Sequence, residues 1–210
     1  MNEEYPMKIL ASCFAIIVAM LFASAAEAQQ TINGCLIKRR TNCPGANLSG
    51  VDLTKSNLSS ADLAGANLSG ANLSFDKIAE ANLTKANLSG ANLTGTVLTG
   101  TYLNNANLAR ANLDKADLAQ ATLPDANLRE ASLAGANFSM ANLKGADLTG
   151  ANAKGAVFLM SNLANANLTR ADLTEATLAG SDLRNAILAG VKFCKTTMPD
   201  RSINNSGCPK

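Results

Sequence analysis

From Leu48 to Phe193 every fifth residue is apolar, through thirty consecutive pentapeptides without one insertion. The central positions hold 25 Leu, three Phe, one Ile and one Ala, and the residue two before is Ala in 22 of the 30 units. The unit reads A-(N/D)-L-x-x, as in Ala66-Asn67-Leu68-Ser69-Gly70. A strict short period marks a repeat architecture and outranks local propensity. A period of five fits neither the 3.6-residue face of a helix nor the two-residue alternation of a flat strand. Ala and Leu two residues apart point to the same side of a short extended segment, so the chain must turn within the residues that remain. Twelve of the residues two after the central position are Gly, and Asn105, Asn165 and Asn185 occupy others. Both types accept left-handed backbone angles in tight turns. Each pentapeptide therefore reads as one short side and one corner.

The array from Ala46 to Lys195 resembles the pentapeptide-repeat proteins. The resemblance implies an all-β fold, a right-handed quadrilateral parallel β-helix with four pentapeptides per coil. Thirty units then make a solenoid of about seven and a half coils, roughly 36 Å long at about 4.8 Å per rung. Residues twenty apart should stack. Two columns of central positions are pure Leu, one from Leu48 to Leu188 and one from Leu63 to Leu183. The departures gather elsewhere. Phe138 and Phe158 lie one coil apart, and Ala153, the single Ala at a central position, lies one side away from Phe158. A close-packed interior penalises added volume, so Ala153 reads as the small partner that makes room for the rings.

Such a rod has an open coil at each end, with edge amides and core Leu that need covers. Cys35 and Cys43 precede the first repeat, and Cys194 and Cys208 sit at and after the last. Cys35 is paired with Cys43 and Cys194 with Cys208, because any other pairing would span the rod. Bridges closing loops of this size stabilise by roughly 2–3 kcal/mol. The segment from Phe193 to Cys208 also resembles a tail found on other exported pentapeptide-repeat proteins.

The amino-terminal segment agrees with an oxidising compartment. Met7-Lys8 is followed by eighteen uncharged, mostly apolar residues, Ile9 to Ala26, and then by the A-x-A pattern Ala26-Glu27-Ala28. This reads as a secretory signal peptide cleaved after Ala28, with Met7 as the alternative start because Glu3 and Glu4 are foreign to such a segment. Disulfides persist in the periplasm and outside the cell. The expected organisation is a signal peptide over 1–28, an N-terminal cap over 29–45, the β-helix over 46–195 and a disulfide-bonded C-terminal cap over 196–210. No stable membrane span is expected after cleavage.

Catalysis finds little support. The chain has no His, so the usual general base is missing. Its glycines follow the five-residue period and form no phosphate loop. Asp117, Asp147, Asp172 and Asp182 mostly replace Asn at the outward position before the central residue, where they are solvated. No catalytic, cofactor-binding or metal site is read, and the chain is not an enzyme on this reading. Losing Lys8, Glu3, Glu4 and Glu27 leaves 17 basic and 13 acidic residues, a dispersed net charge of +4. Lys38-Arg39-Arg40 is the one basic cluster and reads as solvated.

Outward apolar residues are the better candidates for an activity. Met140 and Met160 lie one coil apart with Val157 and Leu159 beside them, and Val97 and Tyr102 form a second group. Exposed apolar clusters mark interfaces. Asp76 takes an inward position normally held by Ala, and an unpaired buried carboxylate is costly. The coil is expected to bulge there and hydrate it, unless Lys77 or a backbone amide satisfies it. The Asn column from Asn47 to Asn127 is read as a structural ladder of amides along the rod axis. The chain thus reads as an exported, non-catalytic interaction module presenting a rigid surface to an unknown envelope or extracellular protein. The alternative comes from the resemblance: some pentapeptide-repeat proteins mimic B-form DNA and bind DNA gyrase. Export and basic charge disfavour it, and no nucleic-acid partner is expected.

Overall fold

The computed structural model describes residues 30–209. The proposed signal peptide lies outside the described residues. Parallel β-bridges join residues twenty apart, from Asn42 with Asp62 to Thr177 with Thr197. One turn of the solenoid therefore takes four pentapeptides, each contributing one side. Each regular rung uses the same bonds. Leu88 N–H donates to Asn107 O at 2.7 Å, Asn107 N–H to Ala86 O at 2.9 Å, and Gly90 N–H to Ala109 O at 2.9 Å. The rung amides of each regular coil are thus satisfied from the coils before and after it, as buried amides require.

The five-residue unit explains the cross-section. The central residue and the small residue two before it both point inward and are buried along nearly the whole rod. Where Ala is replaced by Thr, the hydroxyl finds a carbonyl. Thr96 Oγ1 donates to Leu73 O at 2.7 Å and Thr196 Oγ1 to Leu173 O at 2.7 Å. Phe138 and Phe158 are fully buried and stacked, with ring centroids 5.1 Å apart and an interplanar angle of 6°. The outward Asn side chains form the axial ladder, as in Asn107 Nδ2 to Asn87 Oδ1 at 3.2 Å and Asn127 Nδ2 to Asn107 Oδ1 at 3.0 Å.

The corner is imposed by the rungs and not by residue type. The residue two after each central position has φ of 63–69° where it is Gly and 53–63° where it is Lys, Glu, Met or another residue. An L side chain in this region costs roughly 1–2 kcal/mol, part of which is recovered against the greater entropy of Gly. Lys115 sits in such a corner at φ 58°. Lys115→Gly is expected to raise stability by about 0.5–1 kcal/mol, read from the denaturant midpoint. A loss of stability would mean that the Lys stem packs usefully on the next coil.

One rung is broken, and Asp76 is the reason. The bridge between Asn57 and Lys77 is missing from the series, and among the described residues Lys55 and Leu58 lack their usual rung bonds. Asp76 does not bulge into water, contrary to the sequence expectation. It is 2% exposed. Its carboxylate is turned toward the preceding coil, where Ser56 Oγ donates to Oδ2 at 2.7 Å and Asn57 N–H to Oδ1 at 2.8 Å. Asn57 swings to φ 49° to aim that amide. The distortion therefore lies one coil before the residue that causes it.

Burial pushes the Asp76 carboxyl above its ordinary value of 3.8, against the bonds from Ser56 and Asn57. The folded state then binds this proton more tightly than the unfolded chain. Its stabilising contribution is fully present below the ordinary value and is lost as pH rises through the raised one. The stability difference between the native chain and Asp76→Asn is expected to shift against the native chain on going from acid to neutral pH. Taking the difference cancels the other carboxylates, of which Asp147, Asp172 and Asp182 are lowered. A difference that is flat with pH would show that Asp76 ionisation does not bear on stability.

The ends are short hairpins. At the amino end β1 (Gln30–Ile32) pairs with β2 (Cys35–Ile37) across Asn33-Gly34, both at positive φ, as a tight two-residue hairpin requires. Cys35 and Ile37 are buried in the core, and a disulfide joins Cys35 to Cys43. At the carboxyl end β3 (Thr196–Thr197) pairs antiparallel with β4 (Ile203–Asn204), and a disulfide joins Cys194 to Cys208.

Candidate interaction surface

Four of the six outward apolar residues singled out from the sequence come together on one side of the rod. Val157 bridges Asn137 and Thr177, which places it in the middle of that side. Met140 N–H donates to Leu159 O at 2.8 Å, so the Met140 corner and Leu159 share a rung. Met160 follows at the next corner of the same column. Met140, Leu159 and Met160 are 55%, 42% and 64% exposed, and Val157 is half-buried between its neighbours. The reason for the clustering is the twenty-residue turn, which sets residues far apart in the chain one above another.

Val97 and Tyr102 are not part of this group. Val97 shares the column of Val157 but lies three coils earlier, about 14 Å along the axis at the usual rung spacing. Tyr102 is exposed beyond the next corner, where it bridges Asn82 and Thr122. A third residue belongs near Val97 and was not singled out. Phe75 is 75% exposed at a corner, with its ring lying over Gly95. A methyl group at Gly95 would approach within 2.6 Å of the ring. The available signal was an aromatic at a turn position filled elsewhere by Gly, polar residues or Met.

The apolar group lies on an uncharged stretch of this side. From Ala136 to Met140, from Ala156 to Met160 and from Ala176 to Gly180 it carries no charged residue. Elsewhere on the rod several charges are paired, most of them across coils. Arg110 Nε meets Glu130 Oε2 at 2.9 Å, Arg129 Nη1 meets Asp147 Oδ2 at 3.0 Å, and Lys154 and Lys192 both face Asp172. Arg184 holds Asp182 down to about 2 through bonds from its side chain and its amide. These are exposed pairs of small energetic weight. The groove lined by Gly90, Arg110, Arg129 and Glu130 is an open polar furrow between such pairs. Among the described residues no group of three or more Cys, Asp or Glu is placed to hold a metal ion. Nor is any helix among them long and apolar enough to cross a membrane.

The family model for pentapeptide repeats matches this chain in eight copies, over residues 39–74, 81–120, 111–150 and 161–198. None of the curated proteins matches at a significant level. Among solved structures, the chain is 33% identical to HetL, a pentapeptide repeat protein involved in heterocyst differentiation regulation in the cyanobacterium Nostoc sp. strain PCC 7120, with 79% of this chain and 86% of that chain covered and a TM-score of 0.46. It is 21% identical to trypsin-treated QnrB1, a plasmid-mediated fluoroquinolone resistance protein, with 73% and 83% covered and a TM-score of 0.58. That likeness concerns the fold alone. A pentapeptide repeat protein of the Arabidopsis thaliana thylakoid lumen is 34% identical, with 48% and 66% covered and a TM-score of 0.32.

Proposed function

Since this chain belongs to the pentapeptide-repeat family, we propose that it is an exported, non-catalytic interaction module. It is a right-handed quadrilateral β-helix of about seven and a half coils, built from residues 46–195. A signal peptide over 1–28 directs it to the periplasm or beyond, and disulfide-bonded caps over 29–45 and 196–210 finish its ends. It presents the side bearing Met140, Val157, Leu159 and Met160 to an envelope or extracellular protein. One observation carries this reading: an apolar group stands exposed where three successive coils carry no charge on that side, among outward positions that are mostly polar or small in this chain. Exposed apolar surface on a rigid scaffold is the usual mark of a protein contact. The two disulfides support an oxidising compartment.

Binding to DNA gyrase stands second. A DNA mimic needs an unbroken acidic side, whereas Glu130, Asp147, Asp172, Glu175 and Asp182 each pair with an Arg or Lys.

The test has two parts. Intact mass of the recovered protein is expected to correspond to a chain beginning at Gln29 and lighter by four hydrogens; a full-length reduced species would sink the export reading. Crosslinking in the envelope is then compared between the native chain and Leu159→Glu with Met160→Glu. Both positions are exposed, so the fold is expected to persist. Partner recovery is expected to drop at least about tenfold, and unchanged recovery would remove this side from consideration.

A further inference from the structure

The twenty-residue turn gathers cations that the sequence keeps apart. Lys38, Arg39 and Arg40 form a corner of the usual kind, closed by Thr41 N–H to Lys38 O at 3.2 Å, and Arg40 N–H donates to Ser59 O at 2.9 Å. That bond sets the corner under Ser59 and Ser60, at the amino end of the side that carries Val97 and Val157 further along. Lys55 occupies the opposite corner of this side one coil later, with φ 63°. Lys77 stands in the middle of it and bridges to Val97 in the coil above. The sequence alone reads Lys38-Arg39-Arg40 as solvated, and the turn adds Lys55 and Lys77 to it. All five cations are exposed, and none forms an ion pair among the described residues.

Acids do little to balance them. Over 36–40, 55–60 and 75–80, which make up this end of the side, the acids are Asp76 and Glu80. Asp76 is buried and taken by Ser56 and Asn57, and Glu80 accepts from Ser60 Oγ at 3.3 Å. Asp52 and Asp62 belong to the two neighbouring sides. Two apolar groups stand among the cations. Phe75 occupies the corner one turn after Lys55, and Val97, 37% exposed, lies above Lys77. Lys55, Phe75, Lys77 and Val97 thus fall within two rungs, about 10 Å along the axis.

We propose that the amino end of this side docks on an anionic lipid bilayer. Phe75 enters the headgroup layer, and Lys38, Arg39, Arg40, Lys55 and Lys77 meet lipid phosphates. The occupant follows from the combination. Basic heads on apolar stems reach phosphates while an aromatic ring lies at the boundary between headgroups and acyl chains. An apolar groove on a protein would take the ring and leave the cations unanswered. A single-stranded nucleic acid stacks its bases on successive aromatics, and this end of the side offers one ring.

The surface is distinct from the group proposed to hold a protein partner, since Val157 lies four coils above Lys77, about 19 Å along the axis. Flotation of the full chain with vesicles of phosphatidylglycerol and phosphatidylcholine is the test, compared with vesicles of phosphatidylcholine alone. Binding to the anionic vesicles is expected to be at least about tenfold the stronger. Lys55→Gln with Lys77→Gln is expected to weaken it at least about tenfold, at about fivefold for each cation. Phe75→Ser is expected to weaken it about fivefold with the salt dependence unchanged. These side chains are exposed, so an unchanged thermal midpoint is expected to accompany each loss. Leu159→Glu with Met160→Glu should leave vesicle binding intact, so this reading and the protein contact fail independently. Absence of binding to the anionic vesicles, equal binding to phosphatidylcholine alone, or a response to the lysine changes without one to Phe75→Ser would each overturn the proposal. Tighter binding of a single-stranded oligonucleotide than of the vesicles would overturn it in favour of a nucleic-acid surface.

Discussion

Phe138→Ala is expected to lower the unfolding free energy by about 3–5 kcal/mol, the range for removing a buried aromatic ring. The ring is fully buried and stacked on Phe158 at 5.1 Å. The void cannot be closed cheaply, because the backbone around it is tied to the coils above and below by rung bonds such as Phe138 N–H to Val157 O at 2.7 Å. The lost ring contact adds roughly 0.5–1.5 kcal/mol within that total. Denaturant unfolding measures it, and a loss below about 1 kcal/mol would mean that the coil collapses onto the space. The converse change tests the size match. Ala153 is fully buried at the central position one side before Phe158. Ala153→Leu is expected to cost about 1–3 kcal/mol through overpacking. Combined with Phe158→Leu it should cost less than alone, since neighbouring sites in one core couple.

Removing the Cys35–Cys43 bridge is expected to have the next largest effect. Cys43→Ser should cost about 2–3 kcal/mol, the loop-closure range for a bridge of this span. Cys35 is buried in the core above the first coil, and Thr41 beside it donates to Leu36 O at 2.6 Å. Without the bridge the hairpin is held by β1, β2 and a few bonds, among them Asn33 Nδ2 to Asn47 O at 2.7 Å. Leu48 and Leu53 would then meet water. Because each coil touches only its neighbours, the damage should begin at this end and spread inward. Faster hydrogen exchange at Leu48 and Leu53 than at Leu118 would show it. Uniform acceleration along the rod would instead indicate one cooperative unit.

Much of this molecule was legible in the sequence because one rule is applied thirty times over. The inward Leu and Ala, the corners and the twenty-residue spacing all follow from a period that no helix or flat strand can satisfy. The apolar group on one side could be named because Met140, Val157, Leu159 and Met160 violate a polar position. The rest was hidden where a neighbour one coil away decides the outcome. Asp76 is accommodated by Ser56, which stands one turn earlier at an inward position usually held by Ala, and by the amide of Asn57, whose duty no residue type marks. Phe75 is exposed because corner side chains stand outside the tube, and its perch on Gly95 needs the coil above.

The twenty-residue turn also governs how such a chain tolerates changes in length. Adding or deleting one pentapeptide keeps every inward residue inward, so the core would accept it. All later outward residues would nevertheless move round the rod by a quarter turn. Inserted before Met140, five residues would send the apolar group to a different compass bearing from Val97, while twenty would only raise it one storey. Natural variation in length could therefore leave the core unharmed and still scramble what the outside says to a partner. The repeat is five residues long for folding and twenty for recognition.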